Sequence, residues 1–175
     1  FVTFHNAGYN VHTQGTQSVI FAILFATYLS SLFTLKKVLF MLYSIIFGIL
    51  LFFTFTALIM PESELVNKED FVNYQVLVVG LTLMMLGYAF AKGKYASLRD
   101  MLYGFGSIGF LGAALVLGGF RPNQNIFWEL LFPVLVLGII FLSIYLRARI
   151  FLGIGAFFLM SYIIKLTATH ASGFG

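Results

Sequence analysis

The stretch Val38–Met60 reads VLFMLYSIIFGILLFFTFTALIM. It runs for 23 residues without a charge. At about 1.5 Å per residue a helix of this length covers about 34 Å, slightly more than a hydrocarbon core of about 30 Å. Polar and apolar residues do not alternate along it, as they must in a strand of a membrane barrel. The stretch therefore reads as a transmembrane helix, with some tilt to absorb the excess length.

Five further segments have the same character: Ser18–Leu35, Tyr74–Ala91, Leu102–Phe120, Ile126–Leu146 and Ile150–Leu166. One apolar helix can hide inside a soluble protein. Six cannot hide in 175 residues, because nothing would remain to cover them. Charged residues make up 9% of the chain, against about 25% in a soluble domain. This composition excludes an ordinary soluble enzyme, a disordered tail and a nucleic-acid binder. The expected fold class is all-α, a polytopic transmembrane helix bundle of about six spans in three antiparallel hairpins. Lys36-Lys37 and Arg147–Arg149 are short connections, which force antiparallel neighbours. Residues 1–17 then form an extracytoplasmic segment, 18–166 the bundle, 61–73 an outer loop and 167–175 an extracytoplasmic end.

Position gives the charges their meaning. Lys36, Lys37, Lys92, Lys94, Arg99, Arg147 and Arg149 fall at the hairpin tips, and Lys68, Arg121 and Lys165 on the other side. Glu62, Glu64, Glu69, Asp70 and Glu129 lie opposite the tips, and only Asp100 lies with them. The positive-inside rule makes the tips cytoplasmic and both ends of the chain extracytoplasmic. The chain opens on Phe1 without the basic and apolar regions of a signal peptide. An external start of this kind implies a removed signal or an odd number of preceding spans. The turn-like HASGFG at the end is expected to lead into further chain.

Ionisable residues inside a membrane are candidates for function. In the six spans only Glu129 and Lys165 qualify, both near the external ends. The turn centred on Arg147–Arg149 sets residue i opposite residue 296−i, so Glu129 and Lys165 lie about 3 Å apart in depth. They form a candidate ion pair, although each head group snorkelling to water is the default reading. Pro133 follows Glu129 by four residues and cannot donate to its carbonyl, so the helix is broken there. Broken helices occur at transporter sites, but plain packing is the favoured reading. Asn125 is placed to cap this span, with Glu129 at the positive end of the helix dipole.

The fourth span, LYGFGSIGFLGAALVLGGF, is rich in glycine. Gly109 and Ala113, with Gly106 one turn back, make a small-residue face for close packing of a neighbour. Gly104–Gly109 has the spacing G-x-G-x-x-G, but no soluble strand precedes it, so it is not a dinucleotide loop. His5, His12 and His170 fall outside the expected spans, in solvated segments. No catalytic, cofactor or metal residue is assigned. Cysteine is absent, which removes thiolate chemistry.

The segment Phe127–Leu166 combines an apolar helix, the basic turn Arg147–Arg149, a Gly153/Gly155 start and a Tyr162–Lys165 end. It resembles the last hairpins of uncharacterised bacterial polytopic membrane proteins that form a domain of unknown function. The resemblance implies a bacterial inner-membrane protein with further spans, and no activity. The leading expectation is a membrane domain of a larger chain, or a scaffold subunit, without a catalytic site. The alternative is a transporter or carrier of a neutral or lipid-like solute. The expected partners are the lipid bilayer and other membrane subunits, not nucleic acid.

Overall fold

The computed structural model describes residues 2–35, 37–59, 68–93, 95–119 and 125–171, with backbone alone for 2–14, 32, 33, 35, 68, 69 and 169–171. Every regular element among them is helical. They are α1 (Val2–Leu35), α2 (Val38–Ile59), α3 (Lys68–Phe90), α4 (Arg99–Leu117), α5 (Ile126–Leu146) and α6 (Arg149–Ala171), with a single 3-10 turn at Ala96–Leu98 before α4. Five of these elements hold stretches long and apolar enough to cross a membrane, and α1 adds the shorter apolar piece Gly15–Ser31. The hydroxyls along them are turned inward on the backbone. Thr27 donates to the Ile23 carbonyl at 2.7 Å, Thr82 to Val78 at 2.8 Å and Ser161 to Phe157 at 2.9 Å. A hydroxyl bonded one turn back presents little polarity to lipid.

The helix limits of α5 coincide with the apolar stretch Ile126–Leu146, and α2 keeps within Val38–Met60. α4 starts three residues before its apolar stretch and ends at Leu117, and α1, α3 and α6 outrun theirs. α1 begins at Val2, so the Gly/Asn/Gln/Thr-rich start expected to be a solvated segment is helix. α3 begins at Lys68, six residues before Tyr74, inside the expected outer loop. α6 runs to Ala171, so His170 is helical as well. The reason is common to all three. Once nucleated by an apolar stretch, a helix gains one hydrogen bond for each residue added and propagates into polar sequence. Glu69 and Asp70 in the first turn of α3 also suit the positive end of its dipole.

The chain divides into two compact units, residues 1–68 and 69–175. In the first, α1 and α2 pack through aromatic rings. Tyr28 lies 5.3 Å from Tyr43 and stacks on Phe47 at 5.2 Å, ring centroid to centroid. Phe25 closes against Gly48, where a Cβ would come within 3.1 Å of its ring.

In the second unit α4 is the most enclosed helix. Of its most apolar stretch 50% is buried, against 28% for α3 and 22% for each of α5 and α6. Leu111, Ala114, Val136 and Phe151 are inaccessible, and Tyr103 and Phe132 nearly so. The Tyr103 and Phe151 rings lie 4.6 Å apart across α4 and α6. The outward faces carry large apolar side chains instead. Phe141 is 68% exposed and Ile144 72%. Apolar cover on this scale suits lipid as the solvent.

The turn from α5 to α6 is a Schellman closure. The Ala148 N–H donates to the Ser143 carbonyl at 3.2 Å and the Arg147 N–H to Ile144 at 3.4 Å. The Ser143 hydroxyl donates back to the Ala148 carbonyl at 3.0 Å. Arg147 occupies the left-handed position, φ 51°, where glycine is usual.

Candidate functional site

At the end of the second unit opposite Arg147, all four helices bring polar groups together. The arrangement starts from Pro133, which α5 passes as continuous helix, so the break expected there amounts to one missing backbone bond. With no N–H on Pro133, the Glu129 carbonyl one turn earlier loses its helical donor. The Tyr162 hydroxyl on α6 donates to that carbonyl at 3.1 Å. A carbonyl left unsatisfied in lipid would cost several kcal/mol, and the tyrosine supplies the donor that Pro133 removes. Phe132 supports the phenol, with the two rings 5.3 Å apart. The next residue around α5 makes a second tie. Trp128, nearly buried, donates its indole N–H to the Tyr74 oxygen at 3.1 Å and so joins α5 to α3. Gln75, also buried, stands beside Tyr74 on α3.

Lys165 is buried to 7% exposure rather than extended to water, as the snorkelling reading expects. Gly118, at the end of α4, makes the space. A Cβ on Gly118 would lie 3.3 Å from the Lys165 Nζ and 3.3 Å from the Leu115 carbonyl oxygen. The ammonium thus shares the neighbourhood of the last carbonyls of α4, the negative end of that helix. Glu129 sits in the first turn of α5, the positive end of its own helix, and acts electrostatically on Lys165. Backbone bonds close the same corner. The Asn125 N–H donates to the Gly118 carbonyl at 3.3 Å, and the Glu129 N–H to the Asn125 carbonyl at 3.0 Å. Asn125 holds the N-cap position in extended conformation, but its side chain makes no capping bond, contrary to expectation. Gly119 turns the chain away with φ 62°.

The glycine face of α4 meets α3. A Cβ on Gly106 would fall 2.8 Å from the Gly80 carbonyl oxygen and 2.9 Å from the Met84 nitrogen. Gly109 lies in ordinary contact range of Val76, and Ala113 is buried. Between them Ser107, fully buried, donates to the Tyr103 carbonyl at 2.7 Å. Among the described residues every buried side-chain nitrogen or oxygen has a hydrogen-bond partner.

Sequence reasoning singled out Glu129, Lys165, Pro133 and Gly106 but not Tyr162, Gln75 or Gly80. The signal for Tyr162 was present. The register about the Arg147–Arg149 turn puts residue 162 level with residue 134, beside the proline. His5, His12 and His170 lie in helices, with side chains outside the described residues.

Between α3 and α5 the surface opens into an apolar groove of about 410 Å³, lined among others by Leu81, Met85, Tyr88, Val134 and Leu142. Comparison with protein-family models, curated proteins and solved structures gives no match to this chain.

Proposed function

We propose that this chain is an integral membrane protein with a structural rather than a catalytic task. It serves as the membrane domain of a larger chain or as a scaffold subunit of a membrane complex. Its six helices cross the bilayer as three antiparallel hairpins, with the basic tips cytoplasmic as in a bacterial inner membrane. The observation that carries the reading is the use made of Pro133. A proline inside α5 beside Glu129 is the feature of this sequence closest to a transport site. Its freed carbonyl is taken by Tyr162 at 3.1 Å, which leaves that acceptor engaged within the bundle. We read Glu129 and Lys165 likewise as an internal ion pair that joins the start of α5 to α6, beside the end of α4.

The absence of cysteine makes a direct test available. Single cysteines replace Ser107 and Val136, both fully buried in the second unit. A structural module leaves both unreactive to a small, charged, water-borne thiol reagent applied from either side of the membrane. Modification of either from one side at a rate near that of an exposed control would overturn the reading.

The groove between α3 and α5 favours a second reading, a carrier of lipid-like rather than polar solutes, because its lining is almost wholly apolar. Chain-dependent transfer of a labelled lipid between the leaflets of reconstituted vesicles would select it.

A further inference from the structure

The α3–α5 groove has an open floor and a basic end. Gly138 lies in its wall, and a Cβ built there meets nothing within 4 Å. Tyr88 and Tyr145 stand at the end of the groove nearer the α5–α6 turn, 61% and 79% exposed. The chain runs from Tyr88 to Lys92 within one further turn, and from Tyr145 to Arg147 within two residues. Both cations are exposed, and so is Arg149. The acid at this end, Asp100, is held by Arg99 at 2.9 Å, so Lys92, Arg147 and Arg149 set the local charge.

We propose that this groove binds an anionic phospholipid, with one acyl chain along α3 and α5 and the phosphate at Lys92 and Arg147. The volume, about 410 Å³, suits one small ligand or part of a larger one. Charge selects the occupant. Copies of one chain in one membrane share an orientation, so a second copy brings its own basic end to the same depth and is repelled. An anionic lipid brings the opposite charge to that depth and is attracted. Basic pockets between membrane helices recognise such head groups. The proposal rests on the membrane reading of the chain but not on the scaffold reading.

The test uses the full chain in detergent, with native mass spectrometry after addition of dioleoylphosphatidylglycerol or dioleoylphosphatidylcholine. The expected result is retention of the anionic lipid about tenfold better than the zwitterionic one. Gly138→Trp fills the groove from its open side and lowers anionic-lipid retention about tenfold, and Gly138→Leu gives an intermediate loss. Lys92→Gln with Arg147→Asn brings the two lipids to similar retention, since asparagine keeps the left-handed turn. Circular dichroism confirms that each variant keeps its helix content. Equal retention of the two lipids by the unaltered chain overturns the proposal. So does a folded Gly138→Trp chain that holds the anionic lipid as before. A mass of twice the chain that Gly138→Trp abolishes assigns the groove to a second copy and also overturns it. A chain that stays folded and monomeric in water without detergent overturns the membrane reading itself, and is distinguishable because no lipid is needed to see it.

Discussion

Pro133 removes a donor, and the fold replaces it with a side chain 29 residues further along. A double-mutant cycle isolates this exchange. Tyr162→Phe keeps the ring and deletes the hydroxyl, so the Glu129 carbonyl is left without its bond. Thermal unfolding in detergent should show a loss of about 1–3 kcal/mol. Pro133→Ala restores a backbone N–H to the same carbonyl. In that background Tyr162→Phe should cost much less, and equal costs in the two backgrounds would show that the phenol acts only by packing. Arg147 presents the opposite case, a residue kept where its backbone is strained. A non-glycine residue in the left-handed region costs about 1–2 kcal/mol, and Arg147 sits there with φ 51°. Arg147→Gly should therefore raise the unfolding midpoint, with a gain of up to about 1 kcal/mol. A fall instead would mean that its guanidinium holds the turn together. The sequence favours charge over backbone ease at this position, which is intelligible if the arginine faces an anionic lipid surface.

Helices in lipid gain nothing from hiding apolar surface, since the tails are as apolar as leucine; they associate through close packing. The glycines divide by that criterion. At Gly80 and Gly106 a methyl group would meet backbone atoms of the facing helix at 2.6 Å and 2.8 Å. At Gly138 and Gly153 it would meet nothing within 4 Å. Gly80→Ala and Gly106→Ala should push α3 and α4 apart and destabilise the unit by about 1–3 kcal/mol. Gly138→Ala and Gly153→Ala should be neutral or stabilising by up to about 1 kcal/mol, because alanine is the better helix former. Similar effects at all four would show that the α3–α4 contact does not set stability. From the sequence, the small-residue face of α4 could be read at Gly106, Gly109 and Ala113, because small side chains at helical spacing are visible in one strand of text. Its partner Gly80 could not, because a single glycine in an apolar span says nothing about which helix approaches it. Apolar lengths located α5 at both ends, where Asn125 and the Arg147 turn interrupt the apolar run. They located only the core of α1, α3 and α6, because hydropathy marks where lipid can lie and not where backbone bonding stops. Lys165 was legible as an ionisable residue near a span end. That it turns inward depended on the space at Gly118, a contact between α4 and α6 that no local pattern announces.

At the scale of the molecule the charges carry the largest untested consequence. The chain has ten basic and six acidic residues, and seven of the basic ones lie at the expected hairpin tips. If the positive-inside rule governs insertion, the 3-10 turn before α4 faces the cytoplasm and the start of α5 faces outward. Ser97 in that turn and Asn125 before α5 are both exposed, and both belong to the second unit. In a chain without cysteine each can carry a single reporter thiol. Asn125→Cys should react with a membrane-impermeant maleimide in intact cells, and Ser97→Cys only after the membrane is opened. The reverse pattern would invert the topology. It would place Lys92 and Arg147 in the outer leaflet, and the groove beside them would then meet a different lipid population. Labelling of both sites in intact cells would be more damaging, because α4 would not cross the membrane and the three-hairpin arrangement would fail with it. The expected asymmetry does not depend on Glu129, Lys165 or the Tyr162 bond. It therefore checks the placement of the chain separately from the chemistry that holds its helices together.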